Sequence, residues 1–248
     1  MFSANDCSVS ERILTTGTFE PMSMKIWCRF ARKASGIFDI GAHVGTYSLA
    51  AAKIRPDLQI QAFEPNPYAY ARLRLHKTIN GLWNIAENRL ALSDATAITR
   101  LSWYRKDWLP ISSGGTILDM RGSNEHDSVL AEMVRLDELP ASKTIGDRGL
   151  IKIDVESAEM TVLRGAPGVI QNKPDILIEC FSSFRAAEIT KMLLPLGYRF
   201  YAVMEKEQRI ADTDELKKAD QKGENFNQFV SVRAKSEIDK ILGDYGVV

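Results

Sequence analysis

Several kinds of protein are excluded by what the chain lacks. Its three cysteines, Cys7, Cys28 and Cys180, are odd in number and far apart in 248 residues. That set provides neither a disulfide framework nor a metal knuckle. The N-terminus has no basic, then apolar, then small-residue leader pattern, and no apolar run approaches membrane-spanning length. Thirty-two basic residues balance 32 acidic ones, which argues against a broad electrostatic footprint on nucleic acid. Repeats and low-complexity segments are missing too. The expectation is a soluble, cytoplasmic protein that needs neither membrane nor nucleic acid as a partner. With 45% hydrophobic and 26% charged residues, a sizeable core can be buried. Residues 1–36 read as a helical approach segment and residues 37–248 as one domain.

A further absence decides the ligand. Residues 37–53 run from a short apolar stretch, Ile37-Phe38-Asp39-Ile40, through Gly41 and Gly45 into an alanine-rich segment that Thr46 can cap. Strand, glycine turn and helix start gather free backbone N–H groups at one point. A dinucleotide fingerprint requires a third glycine as G-x-G-x-x-G, so that pyrophosphate can approach the backbone. Here the turn is Asp-x-Gly-x-x-x-Gly. Asp39 would repel a pyrophosphate but accepts hydrogen bonds from an ammonium. S-adenosylmethionine, with an ammonium, a carboxylate and no phosphate, fits that chemistry.

The next strand, residues 59–63, ends in Glu64-Pro65-Asn66, where Pro65 stops the ladder and presents the carboxylate. Glu64 lies where an acid after the second strand accepts both ribose hydroxyls. Residues 85–92 read as a third strand whose end, Leu92-Ser93-Asp94, faces the adenine side of such a pocket. Trp103, Tyr104, Trp108 and the Gly114-Gly115 pair read equally as pocket lining or satellite core, and His126 as a loop residue. Residues 150–153 form a fourth strand, running into Asp154, Glu156 and Glu159. Ligands in open α/β sheets bind at strand carboxyl ends, so Asp154 and Glu156 should face the crevice and Glu159 should serve a helix start. Lys152, inside an apolar strand, needs an acid partner. A fifth strand ends near Glu179 and Cys180. A terminal antiparallel pair, residues 198–203 with 229–233, flanks a charged excursion at 205–224 read as a solvated loop.

Strand–helix alternation with a terminal antiparallel pair predicts a class I, Rossmann-like α/β fold. Its sheet would have seven mainly parallel strands, with helices on both faces. The pieces FDIGAHVGTYS, AFEPNP, ALSD, LDEL, IKIDVESAE, VLRGA and IEC, in order over residues 38–180, resemble the FkbM-type methyltransferases. The upstream GTFEP is similar to that family's lead-in. The resemblance implies S-adenosylmethionine as cofactor and a hydroxyl acceptor on a sugar or polyketide-like natural product. It places cofactor contacts at Asp39, Gly41, His43, Gly45, Tyr47, Glu64, Pro65, Asn66, Leu92 and Ser93. As proton acceptor Asp154 ranks first, Glu156 second and His43 third, and no metal is expected. Two departures stand out. Ser157 occupies a position where the family usually has glycine, and His43 one where it commonly has asparagine. The alternatives are a non-catalytic module of the same fold, or a methyltransferase acting on nucleic acid. Against the second, the chain lacks the Asp/Asn-Pro-Pro-aromatic turn of nitrogen methylation, and nothing around Cys180 marks a nucleophile.

Overall fold

A computed structural model describes residues 7–104, 126–218 and 227–243. The chain enters through two helices, α1 (Ser8–Thr16) and α2 (Pro21–Ala31). Gly17 ends α1 at φ 76°, a left-handed conformation open to glycine, and Pro21 opens α2, where its missing N–H costs nothing. An α/β alternation follows: β1 (Ile37–Ile40), α3 (Thr46–Ile54), β2 (Ile60–Phe63), α4 (Pro67–Ile79) and β3 (Ile85–Asn88). Next come β4 (Ala91–Leu92), β5 (Ala97–Tyr104) and β6 (His126–Val134). Alternation resumes with β7 (Leu150–Ile153), α5 (Glu159–Arg164), α6 (Pro167–Gln171), β8 (Asp175–Glu179) and α7 (Ser183–Leu193). The described chain closes with β9 (Arg199–Met204), β10 (Arg209–Thr213), β11 (Asn227–Ser231) and α8 (Lys235–Gly243).

The main sheet has eight strands in the order β10-β9-β11-β8-β7-β1-β2-β3. The run β8-β7-β1-β2-β3 is parallel, whereas β11 is antiparallel to both β8 and β9. The seven expected strands are there, and β10 adds an eighth along β9. From β1 the chain steps outward to β2 and β3, then returns to lay β7 on the other side of β1. Such a reversal opens a crevice at the strand carboxyl ends.

Strand alternation sorts the side chains onto two faces. Phe38, Ile40, Ile151, Ile153, Ile176 and Ile178 pack against Met160, Leu163, Ala186, Ile189 and Leu193 from α5 and α7. Ile37, Ile60, Leu150, Leu177 and Phe229 pack on the opposite face against Ile26, Trp27 and Phe30 of α2, with Ala51, Ala52 and Ile238. Each such aliphatic side chain stabilises the fold by about 1.5–3 kcal/mol. Helices thus cover both faces, and α2 is embedded in the second core.

Four local expectations are corrected. Residues 85–92 are not one strand. The Asn88 amide donates to the Ala62 and Ala86 carbonyls, and β3 ends there. Ala91 and Leu92 pair instead with Met133 and Val134 in a separate β4-β6-β5 sheet. His126 opens β6 opposite Tyr104 rather than standing in a loop. Part of the charged excursion, 209–213, pairs with β9, and Ile210 is buried in the same core as α2. Finally, Gly45 at φ 92° is the N-cap of α3 and Thr46 makes no capping bond. Trp108 and the Gly114-Gly115 pair lie outside the described residues, as does 219–224 of the excursion.

Candidate active site

A cavity of about 530 Å³ opens at the carboxyl ends of β1, β2 and β7. Its floor is the glycine turn. Gly41, at φ 79°, sits so close to the chain just after β7 that a Cβ would come within 1.8 Å of the Asp154 carbonyl oxygen. No side chain fits there, so the turn backbone lies bare toward the cavity. The Thr46 hydroxyl on the wall is buried without a hydrogen-bond partner.

Glu64 is held at the edge of this floor. One carboxylate oxygen accepts from the His43 N–H and the other from the Asn66 N–H, both at 2.8 Å. Asn66 in turn caps α4, its side chain accepting from the Tyr68 and Ala69 N–H groups. The Glu64 carboxyl is pushed up to about 7, because burial outweighs the two N–H donors. A raised carboxyl favours folding below its unfolded value, 4.5, and that contribution is lost as pH climbs through 7. The ligand-free protein should therefore lose a Glu64-dependent part of its stability between pH 4.5 and 7. Urea unfolding across that window is expected to show a flatter slope in Glu64→Gln than in wild type. Parallel slopes would mean that Glu64 titrates normally.

Beyond the turn lies a buried charge cluster. Lys152 and Asp39 are register partners on β7 and β1, so they share a sheet face. The Lys152 ammonium donates to Asp154 Oδ2 at 2.9 Å and stands 4.8 Å from the centre of the Tyr47 ring. Burial works against its charge, but Asp154, Glu20 and Glu179 outweigh burial and raise its pKa. The Asp39 carboxyl accepts from the Ser48 hydroxyl at 2.5 Å. Burial pushes it to about 6, against the pull of Ser48 and Lys152. Glu20 approaches from the start of α2 at φ 45°. Its Oε2 accepts from the Tyr47 hydroxyl at 2.5 Å and the Asn227 amide at 2.8 Å. Burial raises the carboxyls of Glu20, Glu156 and Glu179, and the charge of Asp154 adds to each.

The loop after β7 is strained. Glu156 stands at φ 50° and Ser157 at φ 78°. That conformation costs a side-chain-bearing residue about 1–3 kcal/mol, which is the reason glycine suits the Ser157 position. The Ser157 N–H donates to Glu159 Oε1 at 2.7 Å, fixing the loop on the start of α5.

The cavity wall brings together Asp39, Gly41, His43, Tyr47, Glu64, Pro65, Asn66, Leu92, Asp154 and Glu156. Gly45 and Ser93 are not on it. Gly45 is behind the turn as the α3 cap, and the Ser93 N–H is bonded to the Val134 carbonyl. Sequence reasoning missed Ser8, Val9, Arg12, Phe19 and Glu20, which line the cavity from the approach segment. The only signal for them was the GTFEP element.

The methyltransferase FkbM domain model matches residues 39–200, more than half of the chain. The chain belongs to the FkbM methyltransferase family. This is a family of S-adenosylmethionine-dependent enzymes. The FkbM relative from Streptomyces tacrolimicus, 31-O-demethyl-FK506 methyltransferase FkbM, is 28% identical over 157 residues, which cover 54% of this chain and 60% of that one. Hexuronic acid methyltransferase AglP of Haloferax volcanii is 24% identical over 157 residues, covering 63% of this chain and 60% of its own. The chain thus spans 60% of the length of these relatives. A crystal structure of methyltransferase FkbM from Methylobacillus flagellatus superposes with a TM-score of 0.50 at 14% identity. The match covers 80% of this chain and 43% of the other, and it speaks to the fold alone.

Proposed function

We propose that this chain is a methyltransferase that uses S-adenosylmethionine to methylate a hydroxyl on a small molecule, a sugar or a polyketide-like natural product. The observation that carries this reading is the Glu64 carboxylate, fixed by two backbone N–H groups beside a turn at which Gly41 admits no Cβ. An acid held there accepts ribose hydroxyls, the bare turn admits an amino-acid end, and the unpartnered Thr46 hydroxyl awaits a polar group. These residues fit the cofactor, and the cavity volume suits a ligand of its size.

When bound, the cofactor supplies an electrophilic methyl group on a sulfonium. The chain aligns, excludes water and removes a proton. Asp39 and the turn from Gly41 to His43 would hold the amino-acid end, Pro65 and Asn66 would support the ribose side, and Leu92 would lie on the adenine side. Asp154, just after β7, takes the acceptor's hydroxyl proton, with Glu156 on the strained loop as the second candidate. A hydroxyl acceptor agrees with the 31-O-demethyl substrate and the hexuronic acid named for the two relatives. The balanced charge supports a small acceptor rather than nucleic acid. No described helix is long and apolar enough to cross a membrane, and we place the reaction in the cytoplasm.

Calorimetric titration with S-adenosylmethionine, S-adenosylhomocysteine and NAD tests the cofactor. The first two should bind and NAD should not, and the reverse pattern would overturn the reading. Methyl-labelled cofactor should then mark a small-molecule fraction of the source cell. Tight cofactor binding with no labelled acceptor would favour the non-catalytic module.

A further inference from the structure

The cavity wall is unevenly charged. Among the described residues, Glu20, Asp39, Glu64, Asp154, Glu156 and Glu179 face it as acids, whereas arginine or lysine is found only at Arg12 and Lys152. Lys152 is paired with Asp154. Among the described residues Arg12 has no carboxylate within pairing distance, and its guanidinium stands 5.9 Å from the centre of the Phe19 ring, another wall residue. Its position is set by α1. Val9 packs with Val44, inside the glycine turn, and with Ala69, while Ile13 and Phe19 lean on that cluster. Arg12 follows Val9 by three residues and so shares the helix face turned to the glycine loop. A ligand with one carboxylate and one ammonium at its amino-acid end meets on this wall the Asp39 carboxyl and, in Arg12, a guanidinium with no carboxylate partner among the described residues.

We propose that Arg12 is the counter-ion for the carboxylate of the cofactor's amino-acid end, which makes α1 part of the cofactor site. This rests on the cofactor reading given above. The planar guanidinium offers a carboxylate two parallel hydrogen bonds, which lysine cannot match. Arg12 is exposed, so its replacement leaves the core untouched.

The test titrates S-adenosylmethionine and its decarboxylated analogue, which differs only by the carboxylate, into the full chain by calorimetry. Arg12→Gln should weaken S-adenosylmethionine about 10- to 100-fold, the loss of one charge-assisted hydrogen-bonded pair. It should leave the affinity for the analogue unchanged, and Arg12→Lys should fall between. If Arg12→Gln binds S-adenosylmethionine as wild type does, the counter-ion role is overturned; a guanidinium that reads an anionic acceptor would give that outcome. Equal losses for both compounds overturn it as well, because α1 would then act through packing. If wild type takes up neither compound, the cofactor reading fails and this inference with it. The wild-type arm therefore separates the two failures.

Discussion

Lys152→Met is expected to destabilise the ligand-free protein by about 3–5 kcal/mol at pH 8, the usual cost of stranding buried charge by removing one partner. The loss should be clearly smaller at pH 5.5. Methionine matches the lysine stem in volume, so little of the change is packing. What disappears is the one cation beside Asp154, Glu20 and Glu179, all of which raise the Lys152 pKa. The sign with pH follows from the acids. Burial has already lifted the carboxyls of Asp39 to about 6, of Glu156 to about 8 and of Glu20, against the pull of Lys152. Without the ammonium they rise further, so at pH 5.5 they hold their protons and less charge is stranded beside Asp154. At pH 8 they must ionise unpaired or pull protons from a dilute solution, and either costs stability. Urea unfolding of both proteins at the two pH values reads the difference. An equal loss at both would assign Lys152 a packing role.

The parts of this site that were legible in sequence are those built from neighbours in the chain. Asp39, Gly41 and His43 lie on one strand and its turn, and Glu64-Pro65-Asn66 on the next. Apolar run, glycine and proline therefore placed them on the cavity without a tertiary contact. Lys152 was legible through its incongruity in an apolar strand, and its acid partner is two residues away. Ser157 was legible through the family resemblance, which expects glycine there, and its φ of 78° is one that suits glycine. Arg12 and Glu20 were not, because they reach the cavity only through the packing of α1 and α2, and a charge on a short helix looks like a solvated face. The break after Asn88 was hidden for a similar reason. Ala91 and Leu92 are as apolar as a continuing strand would be, and only their pairing with β6 moves them to another sheet. β10 is an edge strand of mostly polar residues, which sequence cannot tell from a loop.

Asp154→Asn is expected to keep cofactor affinity and to lower turnover of the acceptor by roughly 10²–10⁴-fold, the typical cost of losing a general base. Oδ2 of Asp154 is tied to Lys152 at 2.9 Å, and no described group donates to its other oxygen. Asparagine preserves the shape and can still accept from Lys152, but it cannot take a proton. If proton removal is partly concerted with methyl transfer, the loss should shrink for acceptors with more acidic hydroxyls. Glu156 is the competitor. Its carboxyl is raised by burial and by the charge of Asp154, which brings it toward the working pH where a base is most effective. Parallel rate–pH profiles separate the two. If Asp154 is the acceptor, Glu156→Gln shifts the profile through the lost charge but retains most of the turnover. If Asp154→Asn keeps full turnover and Glu156→Gln loses it, the proton passes to Glu156 on the strained loop. The positive φ at Glu156 then acquires a purpose, since it turns that carboxylate out of the strand line and toward the crevice.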